Sequence, residues 1–299
     1  MNSPAVSLRK LTKSYGRNRG ILDISFDIYP GEVFGFLGPN GAGKSTAIRT
    51  LLGLISATSG TAEILGHDAL NNSAELRSQI GYLPGALSLN DSYTAWELLH
   101  QFAKLRNIDC TASIQDLASR LKLDLHKKIG ELSKGNRQKV GVIQAFMHSP
   151  KVLFLDEPTS GLDPLAQREF EKILDEVKAR GGAVMLSSHV LSEVEHLADT
   201  VAVINDGKLL VVDRVANLKA KALRHLDLSF DTAIALSVFD GIPAIKSIEA
   251  HGTTISCEVV GSEHEILKRA VEHGVVAVQS HEPSLEEIFL RLVESPGER

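Results

Sequence analysis

The chain has 299 residues, 43% hydrophobic and 23% charged, which excludes a disordered or fibrous protein and is enough for one large core or two domains. Its 32 Lys plus Arg against 37 Asp plus Glu leave a net charge of -5, no footprint for nonspecific nucleic-acid binding, so no nucleic-acid partner is expected. The only cysteines, Cys110 and Cys257, have neither a metal-ligand nor a redox spacing, which points to a reducing compartment and away from sulfur-bound metal.

The N-terminal MNSPAVSLRKL lacks the apolar core of a signal peptide, and no apolar run approaches the ~20 residues of a membrane-spanning helix. A cytosolic protein is expected, free to dock on a membrane protein. Short apolar runs rich in Val, Ile and Phe then alternate with stretches of helical period, the pattern of an α/β domain with a largely parallel sheet. The clearest strands are ILDISFDI (21–28), EVFGFLG (32–38), KVLFLD (151–156), AVMLSS (183–188) and TVAVIN (200–205), with NDG (205–207) turning into KLLVVD.

The second strand ends on GPNGAGKS, residues 38 to 45, which fits G-x-x-x-x-G-K-[ST] at every specified position. Because the helix AIRTLLGL follows, backbone amides converge on phosphate at a helix N-terminus. Gly38, Pro39, Asn40, Gly41, Ala42 and Gly43 form the loop. Gly41 and Gly43 permit positive φ, Lys44 reaches the β/γ-phosphates, Ser45 offers a hydroxyl to Mg²⁺, and Thr46 adds a contact.

From 94 to 147 the pattern is almost wholly helical, as an inserted subdomain would be. Within it, LSKGNRQ (132–138) starts a helix with Ser133 as N-cap and Gly135 exposing backbone amides. Lys134, Arg137 and Lys139 add cations near the positive end of the dipole, an arrangement expecting an anion. In VLFLDEP a buried strand delivers two carboxylates to its C-terminal edge, where ligands of open α/β sheets bind. Asp156 is the expected Mg²⁺ ligand and Glu157 the base for an attacking water. Taken alone, DEP also fits a polar strand end stopped by Pro158. AVMLSS brings His189 to the same edge, where an ordinary turn histidine is the competing reading.

Beyond residue 220 the order is β, α, β, β, α, β, α: HLDLSF (225–230), TAIALSVF, AIKSIEA, TISCEVV, HEILKRAVEH, VVAVQS and SLEEIFLRLVE, the last opened by Ser284 with Glu287. This matches a ferredoxin-like split βαβ plus one helix. The domains are thus read as 1–219 and 220–299, and only SPGER at the end looks frayed.

KSYG with Tyr15, GPNGAGKST, LSKGNRQ, LFLDEP, SGLD (160–163) and His189 occur in that order, and together they resemble the ATPase subunit of an ATP-binding-cassette (ABC) transporter. The resemblance implies a P-loop NTPase fold with a helical subdomain at about 88–147, whose surface receives a short helix of a separate transmembrane permease subunit. It also implies that Tyr15 stacks on adenine and that His189 contacts the γ-phosphate. Ser133 and Gly135 would cap the γ-phosphate held by a second copy, in a homodimer whose interface Ser160 to Asp163 crosses. Lys134 and Asn136 replace the family's Gly and Gln, and Gly85 stands where a Gln normally touches Mg²⁺.

The ending HEPSLEEIFLRL is similar to that of the branch exporting drugs, antibiotics, lipids or polysaccharides. There the small domain would serve dimerisation or regulation, and the ATPase would sit on the cytoplasmic face of the membrane. The competing functions are a cassette ATPase acting on ribosomes or DNA, and an ATP-binding switch with little turnover.

Overall fold

Strands apolar on both faces are stable only between two covering layers. In the computed structural model, which describes residues 3–16, 20–71 and 73–294, β3 (Val33–Leu37), β7 (Val152–Asp156) and β8 (Ala183–Ser188) are buried along their whole length. With β6 (Ile80–Leu83), β9 (Thr200–Asn205) and β10 (Lys208–Arg214) they form a sheet of order β10-β9-β3-β8-β7-β6. Its pairs from β9 to β6 are parallel. Asp206 and Gly207, both at positive φ (47° and 77°), turn β9 into β10, as NDG leads one to expect. SPGER lies outside the described residues.

A second, antiparallel sheet of β1 (Val6–Ser14), β2 (Gly20–Ile28), β4 (Ser59–Ile64) and β5 (His67–Asp68) has the order β2-β1-β4-β5. ILDISFDI belongs here rather than to the parallel sheet. Sequence periodicity missed β1 because its pairing with β2 shifts register between Leu8 and Leu11 and again between Leu11 and Lys13, which breaks the period-2 pattern. The rings of Phe26 and Phe34 stack at 4.7 Å, joining the two sheets. Ala47, Ile48 and Leu51 of helix α1 (Lys44–Leu51) lie in the same core. The helix that follows the phosphate loop is therefore held from below by both sheets.

After the short α2 (Ala74–Ser78) ahead of β6, helices α3 (Ala95–Leu105), α4 (Thr111–Arg120) and α5 (Lys134–Phe146) make the helical block, with α3 opened by a reciprocal capping box between Thr94 and Glu97. Leu98 and Leu99 are core, and half-buried Trp96 lies against His100. Asp163 caps α6 (Pro164–Ala179). Arg120 of α4 grips α6 through Glu169 at 2.7 Å and both oxygens of Glu176 at 2.9 and 2.7 Å. The short α7 (Leu191–Leu197) follows β8. Among the described residues no helix is long and apolar enough to cross a membrane.

The chain divides into two compact units, Met1–Val212 and Asp213–Arg299, ahead of the boundary at 220 read from the sequence. The reason is α8 (Val215–Lys221), which packs on α10 (Leu285–Glu294) and so belongs to the second unit. That unit pairs β11 (Arg224–Phe230), β12 (Ile245–His251), β13 (Thr254–Val259) and β14 (Val275–His281) in the order β12-β13-β11-β14. All pairs are antiparallel, and α9 (His264–Glu272) precedes β14.

This strand order and pairing are compatible with the split βαβ arrangement, with one correction. TAIALSVF, expected as a helix, is only a 3-10 turn over Leu236–Phe239. The link from Phe230 to Ile245 also holds Gly241 at φ 75° and Pro243, which cut a helix short. Phe239 and Ile242 nevertheless fill the core beside Leu226 and Leu228.

Just past α5, His148 lies within 3.1 Å of the Ile80 carbonyl through Nε2, which must carry the proton. Burial, reinforced by the Arg106 guanidinium, pushes this imidazole down to about 4. An unfolded histidine protonates near 6.5. The stabilising contribution is therefore complete above about 6.5 and lost as pH falls toward 4. Urea unfolding should show on the order of 2 kcal/mol of acid loss from this group, discounted for its partial exposure, between pH 7 and 4.5. His148→Gln, which keeps a donor for Ile80, should flatten that slope.

Candidate functional site

The site begins where β3 ends. After Leu37 the chain must turn sharply beneath a neighbouring strand. A Cβ on Gly38 would stand 2.3 Å from the Ile204 carbonyl oxygen, so only glycine fits. Gly43, the N-cap of α1, adopts φ 110°, and a Cβ there would lie 2.8 Å from Ile21 Cγ2 and 2.9 Å from the Gly20 oxygen. Ala42 is buried, its carbonyl accepting from Gly207 at 3.0 Å.

Gly38 and Ala42 thus shape the loop, while Asn40, Gly41, Gly43, Lys44, Ser45 and Thr46 line a cleft of about 170 Å³ together with Gly20 and Glu157. The Lys44 ammonium is drawn over the loop by the carbonyls of Gly38 at 2.6 Å and Pro39 at 3.1 Å. Burial lowers its pKa, and the charges of Glu157 and Asp156 oppose that shift. A cation beside a helix N-terminus forms a polyphosphate receptor.

Strand β7 delivers Asp156, 3% exposed. Its Oδ2 accepts from Ser45 Oγ at 2.7 Å and its Oδ1 from Ser187 Oγ. The next residue, Glu157, is in the left-handed region at φ 54°, uncommon outside glycine. Its N–H donates to the Ser187 carbonyl at 3.1 Å. Its Oε1 lies 2.7 Å from His189 Nδ1, which carries the proton because an ionised carboxylate only accepts. The structure thus brings together the phosphate loop, both DEP carboxylates and His189. Gly85 lies against this group: a Cβ there would be 3.1 Å from Asp156 Oδ2.

Tyr15, Ser133 and Gly135 do not line the cleft. Tyr15 is 54% exposed at the end of β1, with Lys13 Nζ 5.0 Å from its ring centre. Ser133 caps α5 by accepting from Asn136 N at 3.3 Å, and it is exposed beside exposed Lys134. The expectation that three free cations surround this helix start is corrected here. Arg137 pairs with Asp91 at 3.1 Å, and Lys139 is buried against Asp163 at 3.1 Å, so among the described residues Lys134 is the one of the three that is exposed without a carboxylate partner. Gly135 packs so tightly that a Cβ would stand 2.4 Å from the Gly161 carbonyl oxygen.

Sequence reasoning overlooked Gln138 and Ser187. Gln138 is buried and donates from Nε2 to the carbonyls of Glu157 at 3.2 Å and Pro158 at 3.0 Å. It lies inside LSKGNRQ, one helical turn after Gly135, and that offset was the available signal. Ser187 read only as a strand residue.

This arrangement is that of a P-loop ATP-binding protein. The sequence pattern of the ABC transporter family matches residues 21–160. Over 97% of its length the chain is 34% identical to the bacitracin transport ATP-binding protein BcrA of Bacillus licheniformis, covering 98% of that protein. It is 31% identical to the Nod factor export ATP-binding protein I of Paraburkholderia xenovorans, over 98% of each. A solved ATP binding subunit of an ABC transporter superposes with a TM-score of 0.67 at 28% identity, over 72% of this chain and 92% of that one. The chain belongs to the family of ABC transporter ATP-binding proteins.

Gly43→Ala meets both a positive φ and a backbone contact, so the loop must open to admit it. Binding of a fluorescent ATP analogue is expected to weaken at least about tenfold, or 1.4 kcal/mol.

Proposed function

We propose that this protein hydrolyses ATP to drive export through a separate transmembrane subunit, working as a pair of copies closed around two ATP molecules on the cytoplasmic face of the membrane. The observation that carries the reading is one polar cleft lined by Lys44, Ser45 and Glu157, with Asp156 hydrogen-bonded to Ser45 and His189 to Glu157. The full-length similarity to proteins named for bacitracin transport and Nod factor export supports export, and favours it over action on ribosomes or DNA.

Lys44 and the loop amides bind the β/γ-phosphates, and Tyr15 stacks on the adenine. Ser45 Oγ and Asp156 Oδ2, hard oxygens 2.7 Å apart, suit Mg²⁺, which takes few protein oxygens when phosphates supply others. When bound, Mg²⁺ neutralises charge on the β/γ oxygens. Glu157 orients and deprotonates the attacking water. His189, hydrogen-bonded to that carboxylate, fixes its direction and contacts the γ-phosphate.

Ser133 and Gly135, outside this cleft, serve the γ-phosphate of the second copy, with exposed Lys134 adding attraction. Closure of the pair is a population shift driven by those cross-interface contacts. The second unit supports or regulates the dimer. Gly85 packs close against Asp156, where even a Cβ would stand 3.1 Å from its Oδ2, and it offers no side chain to a metal, so Ser45, Asp156 and water would hold Mg²⁺, and movement about Pro84 and Gly85 carries the signal to the permease.

With ATP and Mg²⁺, Glu157→Gln should form a stable dimer by light scattering. Lys44→Ala should not, and monomers in both cases would end the dimer reading. Ser133→Arg should keep nucleotide binding but lose dimer closure and phosphate release; full turnover would make this helix start a plain capped surface helix. Gly85→Gln is expected to change both the ATPase rate and its Mg²⁺ dependence, and identical titrations would show that the position carries nothing.

A further inference from the structure

Three side-by-side positions of α5 grip one short segment of chain. Gly135 abuts the Gly161 carbonyl, Gln138 donates to the carbonyls of Glu157 and Pro158, and Lys139 pairs with Asp163. Positions i, i+3 and i+4 share one helix face, so this face reads the whole stretch from 157 to 163. Ser133, at the helix start, lies about 7.5 Å along the axis from Gln138. The helix between them is continuous and moves as one body.

Glu157 requires such support. A left-handed glutamate relaxes unless its neighbours hold it, and its backbone is held on both sides. Its N–H is engaged by Ser187, while its carbonyl accepts from Gln138 and from Ser160 N at 3.3 Å. The two acceptors facing Gln138 use both protons of its amide nitrogen, which settles the orientation of the group: the amide oxygen turned toward two carbonyls would be repelled. At 8% exposure the amide also has little water to fall back on.

We propose that Gln138 is a positioning residue that couples the two ATP sites of the dimer: it transmits engagement of Ser133 and Gly135 with the partner's nucleotide to the backbone of Glu157, and so aims the carboxylate in its own cleft. The inference rests on the reading of Glu157 as base and of Ser133 as the cross-dimer contact. It adds the mechanical link between them. A packed helix has discrete positions rather than a continuum, so a shift of α5 on closure carries the peptide of Glu157 with it.

The test compares Gln138→Met, which keeps length and removes both donors, with Gln138→Glu, which keeps shape and turns a carboxylate toward two carbonyls. For each, kcat and KM for ATP are measured, with binding of a fluorescent ATP analogue and thermal unfolding. ATP-dependent dimerisation is measured in the Glu157→Gln background. The expected result is a kcat loss of about tenfold for Met and more for Glu. KM and analogue binding should stay within about twofold, and both double variants should still dimerise.

An unchanged kcat overturns the proposal. So does a loss of kcat that comes with lost dimerisation or weakened nucleotide binding, since Gln138 would then act in packing or closure. Failure of the underlying reading looks different: Glu157→Gln alone would keep hydrolysing, or would not dimerise with ATP.

Discussion

A carboxylate buried at the end of an apolar strand is costly unless each oxygen finds a donor, and the site is organised around the solution of that problem at Asp156. Ser45 comes from the first turn of α1 and Ser187 from β8, and each donates to one oxygen. One side chain therefore ties the phosphate-loop helix, strand β7 and its neighbour β8 at a single edge. The parallel sheet makes this possible, because β3, β7 and β8 all run the same way and end together. The second sheet contributes from below by packing Phe26 on Phe34, so that α1 rests on a floor that does not yield.

Around Asp156 the chain adopts conformations that local preference disfavours. Glu157 is left-handed, and Gly43 combines a positive φ with close neighbours. Each is affordable only because surrounding contacts over-determine it. The same holds on α5, where the loss of free cations at the helix start is the consequence of pairing: Arg137 and Lys139 hold the helix to Asp91 and Asp163 instead of standing ready for an anion. Electrostatics that looked like ligand attraction in one dimension is largely internal stitching in three.

The second unit is built on different terms, as an antiparallel sheet with its own core of Leu226, Leu228, Ile255, Val259 and Ile266. Its first connection manages with a 3-10 turn where a longer helix was expected, because Phe239 and Ile242 fill the space with fewer residues. The bacitracin transport and Nod factor export relatives align over nearly all of this chain, this unit included.

Much of the site was legible in one dimension because its parts are contiguous. GPNGAGKS carries its loop, cation and hydroxyl within eight residues, and a strand running into DEP delivers two carboxylates without help from elsewhere. The parallel strands were legible for the same local reason, being uniformly apolar. Strand β1, broken by register shifts, was not, and neither was the end of TAIALSVF as a mere turn, since each depends on which neighbour accepts its side chains. The roles of Gln138 and Ser187 were also invisible, because the partners of Gln138 lie 19 and 20 residues away in sequence and that of Ser187 lies 31 away. Sequence alone determined the phosphate-binding chemistry, which resides in consecutive residues whose spacing is set by covalent geometry. Only the tertiary structure decided which cations were free, which backbone was strained and what held it, because those are properties of contacts between segments that meet only when the chain has folded.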